Sequence, residues 1–148
     1  MTRDFRDLLA ALVAAEARFL VVGAHALAVH GVPRATGDLD VWIDRDPANV
    51  RRVWQALAAF GAPMATLGAT PADLEAPDMV LQLGLPPYRV DLLTGVSGVA
   101  FAEAWARHVT APFEDVTVPF LSRADLVRNK RATGRMRDLA DLEALGES

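Results

Sequence analysis

"GDLDVWID", residues 37–44, sets two carboxylates, Asp38 and Asp40, one residue apart inside an apolar, β-branched run. Alternate side chains of a strand share a face, so Leu39, Val41 and Ile43 can enter a core while Asp38 and Asp40 emerge together on the other side. Two carboxylates this close repel. In a half-buried groove one of them takes up a proton unless a cation neutralises both. Oxygen ligands alone, in a chain without cysteine or a histidine cluster, favour a hard divalent ion, Mg²⁺ or Mn²⁺, over zinc. A D-x-D pair on an edge strand can also be merely solubilising.

A second stretch repeats the pattern. In "YRVDLL", residues 88–93, Val90 and Leu92 face one way and Arg89 and Asp91 the other. If the two strands are neighbours, Asp91 joins Asp38 and Asp40 in a three-carboxylate cluster, able to hold two metals roughly 3.5 to 4 Å apart. Upstream, "FLVVGAHALAVHG" reads as a buried strand, Gly23 and a short helix closed by Gly31. A glycine opening a helix directly after a strand lets backbone N–H groups approach a phosphate.

The remaining elements follow from periodicity. Phe5, Leu8, Leu9, Leu12 and Val13 have the spacing of an amphipathic helix. Asp46 and Pro47 open a helix that carries Val50, Val53, Trp54 and Leu57 and ends at Gly61. Residues 61–78, with three prolines, are the least regular, with room for one helical turn after Thr70 and Pro71. "MVLQLG" reads as a strand before "YRVDLL", "FAEAWARHV" as a helix, and "EDVTVPFL" as a strand. Ser122 and Asp125 form a capping box for the next helix, and "DLADLEAL" supplies the last one after Gly134. The expected fold is mixed α/β (α+β): a small twisted mixed sheet with flanking helices, one domain over residues 1–148.

With 52% hydrophobic and 23% charged residues, the chain has the composition of a folded protein. No apolar run approaches the ~18 residues needed to span a bilayer, and acidic residues at the start argue against a signal peptide. A cytoplasmic protein without membrane contact is expected. The net charge of −4 is uneven. Residues 123–137 hold six basic side chains and one acid, leaving nine basic and eighteen acidic residues elsewhere. A basic segment on an acidic body suits local capture of an anion, although a charge run can equally be a solvated helix face. Lys130, the only lysine, is a compact ammonium suited to a phosphate oxygen.

The run from the strand through Gly23 to "RATGDLD" resembles the active-site motif of the polymerase-β-like nucleotidyltransferase superfamily. "VDLL" and the terminal "NKRATGRMRDLADLEAL" are similar to small bacterial nucleotidyltransferase-like proteins, including those grouped with abortive-infection (type IV toxin–antitoxin) toxins. The resemblance covers about Phe19 to Leu145. It implies that Asp38, Asp40 and Asp91 bind the metals and that Asp91 helps deprotonate an acceptor hydroxyl. Gly23, with Ala24 and His25, would line the triphosphate cradle, and Arg34 and Thr36 would contact phosphate or sugar. Lys130 would be the cation of the C-terminal helix, and Asp138 and Asp141 its trailing acids. Ala24 departs from the usual second Gly or Ser and offers no hydroxyl.

His25 and His30, five residues apart, are poorly spaced to share a metal; His30 reads as a helix-end residue. Trp42 can stack a base or pack, and Trp54 and Trp105 read as core. Three functions fit. One is a metal-dependent nucleotidyltransferase moving an NMP from an NTP to a hydroxyl on RNA, protein or a small molecule. Another is a catalytically weak or inactive module of a toxin–antitoxin or defence pair, with a protein partner or a second copy of itself. The last is a metal-dependent phosphohydrolase.

Overall fold

The strand that carries the two aspartates lies inside a six-stranded mixed sheet. The computed structural model describes residues 2–66, 68–85 and 88–147. Its strands are β1 (Phe19–Val22), β2 (Asp38–Ile43), β3 (Val80–Leu85), β4 (Tyr88–Leu93), β5 (Val109–Phe113) and β6 (Val116–Phe120), in the order β3-β4-β2-β1-β6-β5. The helices are α1 (Thr2–Ala14), α2 (Gly23–Val29), α3 (Pro47–Phe60), α4 (Pro71–Glu75), α5 (Phe101–Ala106), α6 (Arg123–Thr133) and α7 (Met136–Ala144). β2 runs parallel to β4 and antiparallel to β1, and β1 runs parallel to β6. Each edge is a hairpin, β3 with β4 and β5 with β6.

Strand alternation builds the core as the sequence suggests. Leu39, Val41 and Ile43 are fully buried. In register beside them lie Val90 and Leu92 of β4 and Val21 and Phe19 of β1, also buried. Phe5, Leu8, Leu9 and Leu12 of α1 and Val50, Val53 and Leu57 of α3 belong to the same core. Asp46 caps α3 by accepting the Ala48 N–H at 3.1 Å. Pro47 occupies the first turn, and Gly61 ends the helix at φ +95°. Buried Asn49 then ties the start of β1 to the end of β2. Its side chain accepts the Arg18 N–H and donates to the carbonyls of Arg18 and Asp44.

Two local expectations are corrected. The helix expected over residues 101–109 stops at Ala106, and Val109–Phe113 is an edge strand. Arg107 turns away to grip Asp125 at 2.8 and 3.1 Å, and Val109, Thr110 and Pro112 all prefer extended backbone. At α6 only half of the capping box forms. Ser122 accepts the Asp125 N–H, but the Asp125 carboxylate is taken by Arg107 and Arg128. Burial opposes ionisation of Asp125, yet bonds from Arg107 and Ser122 hold its carboxyl below the ordinary range. No helix among the described residues is long and apolar enough to cross a membrane.

Candidate functional site

The side of β2 and β4 opposite the core carries the acidic residues. Because the two strands are parallel and in register, Asp38 stands beside Arg89, Asp40 beside Asp91, and Trp42 beside Leu93. Strand pairing thus sets Asp38, Asp40 and Asp91 on neighbouring strands, as the three-carboxylate expectation required. Asp38 is more open than Asp91, whose side chain is only 13% exposed.

Arg89 reaches across this face. Its Nε donates to Asp91 Oδ1 at 2.9 Å, and its Nη2 lies 3.2 Å from Asp91 Oδ2 and 3.3 Å from Asp38 Oδ2. One guanidinium thus forks between two carboxylates, and Asp40 has no ion pair among the described residues. Burial, followed by the charges of Asp91 and Asp38, pushes the Asp40 carboxyl up to about 6.

Gly23 makes room for that carboxyl. It sits at φ +69°, where side chains with a Cβ are strained. A Cβ there would come within 2.5 Å of Asp40 Oδ2. The strand-to-helix turn is therefore built against the buried aspartate.

The other residues singled out from the sequence take local roles. Thr36 stays near the site, but its Oγ1 accepts the Asp38 N–H at 3.0 Å and so sets the start of β2. His25 packs its ring against Phe5 and Phe113 and has the backbone of Asp38 as a polar neighbour. Its Nε2 is buried without a partner, and burial lowers its pKa, favouring the neutral ring. Ala24 follows Gly23 in the first turn of α2. Trp42 is 2% exposed and meets Phe101 edge-on at 5.1 Å. Of the two roles open to it, packing is the one it takes. His30 ends α2, its Nε2 2.8 Å from the Leu121 carbonyl oxygen.

Lys130 and Arg34 are drawn into a separate network. Lys130 is 8% exposed, with Nζ 2.9 Å from Asp141 Oδ2 and 3.4 Å from Asp138 Oδ1. Arg34 forms an ion pair with the other oxygen of Asp141. Asp138 also receives the Arg135 N–H, the Arg135 Nε and the Thr133 hydroxyl. Burial alone would raise the Asp138 carboxyl, but those bonds and the Lys130 charge hold it far below the ordinary range. Both of these cations, singled out as phosphate contacts, have their charges compensated within the fold by acids of α7. Arg34 thereby anchors the loop that enters β2 to that helix.

Arg89 is the residue that the sequence places on the right face without a role. Its signal is the R-x-D alternation itself, which puts it beside Asp91; only the register shows that it also faces Asp38. Three carboxylates on one face are an all-oxygen donor set suited in kind to Mg²⁺ or Mn²⁺. As the side chains stand, no group of three or more His, Asp or Glu among the described residues converges to hold an ion. The Arg89 Nη2 lies between Asp38 and Asp91.

The six-stranded mixed sheet with its flanking helices matches a nucleotidyltransferase-like fold. Among solved structures, one with a similar fold is that of a "putative nucleotidyltransferase (TM1012) from Thermotoga maritima". It superposes with a TM-score of 0.64 over 96% of this chain and 89% of its own, at 14% sequence identity. At that identity the likeness is one of fold. No protein-family model and no curated protein matches the chain.

Proposed function

We propose that the protein is a divalent-metal-dependent nucleotidyltransferase that moves a nucleoside monophosphate from an NTP to a hydroxyl acceptor. The observation that carries this reading is the pairing of Asp40 with Asp91 on adjacent parallel strands, with Asp38 two residues before Asp40 on the same face. The likeness in fold to the Thermotoga maritima protein supports it.

In this reaction the acceptor oxygen forms a bond to the α-phosphorus as the bond to the leaving pyrophosphate breaks. Asp38, Asp40 and Asp91 would hold Mg²⁺ or Mn²⁺, which supplies charge neutralisation at the phosphates. Asp91 accepts the proton of the attacking hydroxyl. Asp40 shares the ionic load beside it. Gly23 keeps the strand-to-helix turn close to Asp40, so the backbone at the head of α2 borders the same space. Most of the catalysis is positioning and electrostatics, as in other phosphoryl transfers.

RNA, a protein or a small molecule could each supply the hydroxyl. Membership of a toxin–antitoxin or defence pair rests on the resemblance of the terminal motif, and a protein partner or self-association belongs to that same reading. One observation favours the alternative of a binding module with little catalysis: Arg89 already satisfies two of the three carboxylates.

Transfer of label from each α-labelled NTP to total RNA, protein and simple polyols, with Mg²⁺, tests the proposal. The wild type should transfer from one NTP with pyrophosphate release, and Asp91→Asn should be slower by roughly 10² or more. Phosphate release without any acceptor would indicate a phosphohydrolase. A folded wild type that transfers nothing would leave the binding module.

A further inference from the structure

We infer that Arg89 is the resident counter-ion of the acidic face, standing in for a divalent cation between Asp38 and Asp91, so that metal binds in competition with its charge. The inference deepens the proposed function and rests on its metal reading.

The geometry is specific to this residue. Arg89 lies on β4 two residues before Asp91, so the alternation of the strand puts both side chains on one face. The parallel register then brings Asp38 of β2 to its other side. Its Nη2 is within 3.3 Å of one oxygen from each carboxylate, and its Nε takes the second oxygen of Asp91. A planar fork of this kind takes both oxygens of Asp91 and one of Asp38 in a fixed geometry. The side chain is 28% exposed, so the guanidinium stands at the open surface of the site.

The charge count explains why such a residue is there. Three carboxylates without a cation would repel one another across a half-buried face and weaken the fold. One guanidinium reduces the excess to two negative charges, the charge of a single divalent ion. A folded metal-free protein and a site that still attracts metal thus coexist. Lys130 and Arg34 supply no such compensation here, because Asp138 and Asp141 hold them elsewhere.

Binding of Mn²⁺ alone, followed by the loss of the free-ion electron paramagnetic resonance signal, tests this on wild type, Arg89→Met, Arg89→Gln and Asp38→Asn/Asp40→Asn. Removing one positive charge from the acidic face should tighten Mn²⁺ binding roughly tenfold in Arg89→Met. The metal-free variant should melt below wild type and regain more on adding Mn²⁺. Arg89→Gln keeps a hydrogen-bond donor without the charge and should show the same tightening, which covers the case in which the methionine variant fails to fold. Equal Mn²⁺ affinity in wild type and both Arg89 variants, with binding lost in the double aspartate variant, would overturn the counter-ion role and leave the metal reading standing. No Mn²⁺ binding by any of the proteins would bring down the metal reading, and this inference with it.

Discussion

Asp40 and Asp91 occupy the same level of two adjacent parallel strands, and Asp40, the more weakly compensated of the two, has its carboxyl pushed up to about 6 by burial and by its acidic neighbours. Local charge repulsion of this kind is tolerated where it serves a site. It has measurable consequences for stability as well as for binding.

The first concerns pH. A carboxyl whose pKa is higher in the folded than in the unfolded protein binds its proton more tightly when folded. The metal-free protein should therefore lose stability as pH rises from about 4 to about 6 and level off above that. The full loss is roughly 2 to 3 kcal/mol at about 1.4 kcal/mol per pKa unit. Asp40→Asn removes the charge, so urea denaturation at pH 7.5 should find the variant more stable by a comparable amount, with that pH dependence flattened.

Gly23 provides the second. Gly23→Ala should destabilise the fold by about 1 to 3 kcal/mol through its positive φ and by displacing the Asp40 carboxylate. Gly31 is a matched control: it has φ +96°, but a Cβ added there would meet nothing within 4 Å. Gly31→Ala should incur the backbone strain alone, about 1 kcal/mol. The difference between the two melting shifts measures how tightly the turn is built against Asp40.

Lys130 provides the third. Lys130→Met leaves Asp138 and Asp141 short of a buried cation and should lower stability by about 3 kcal/mol or more. Nucleotide affinity of the folded variant should stay near the wild-type value, because the Lys130 ammonium serves those two acids. The depressed carboxyl of Asp138 contributes stability that is complete above the ordinary carboxylate pKa of about 4 and is lost as pH falls below it. Denaturation curves from pH 5 down to pH 2 should show that loss.

Much of this site is legible in the sequence because strand alternation is a local rule. The D-x-D of residues 38–40 and the R-x-D of residues 89–91 each declare their shared face without reference to the rest of the chain. Their adjacency is not local; it is a condition that only the register of β2 and β4 satisfies. Arg89 shows the limit: its neighbour Asp91 is visible two residues away, whereas its second partner, Asp38, comes from another strand.

The C-terminal helices α6 and α7 are less legible, for the same reason. The basic run of residues 123–137 looks like free charge as a string. In the fold Arg128 answers to Asp125, Arg135 to Asp138, and Lys130 to Asp138 and Asp141. Arg34 finds Asp141 only through tertiary packing. Strand β5 is hidden because "FAEAWARHV" continues a helical apolar pattern past Ala106, and the pull of Arg107 toward Asp125 is invisible in the string.

The most direct test of the central claim is calorimetric titration of ATP, GTP, CTP and UTP, each with Mg²⁺, into the wild type and into Asp38→Asn/Asp40→Asn. The acidic face should give metal-dependent binding of at least one nucleotide in the wild type, abolished in the double variant. Nucleotide binding of equal strength in both proteins, or none by a well-folded wild type, would contradict it.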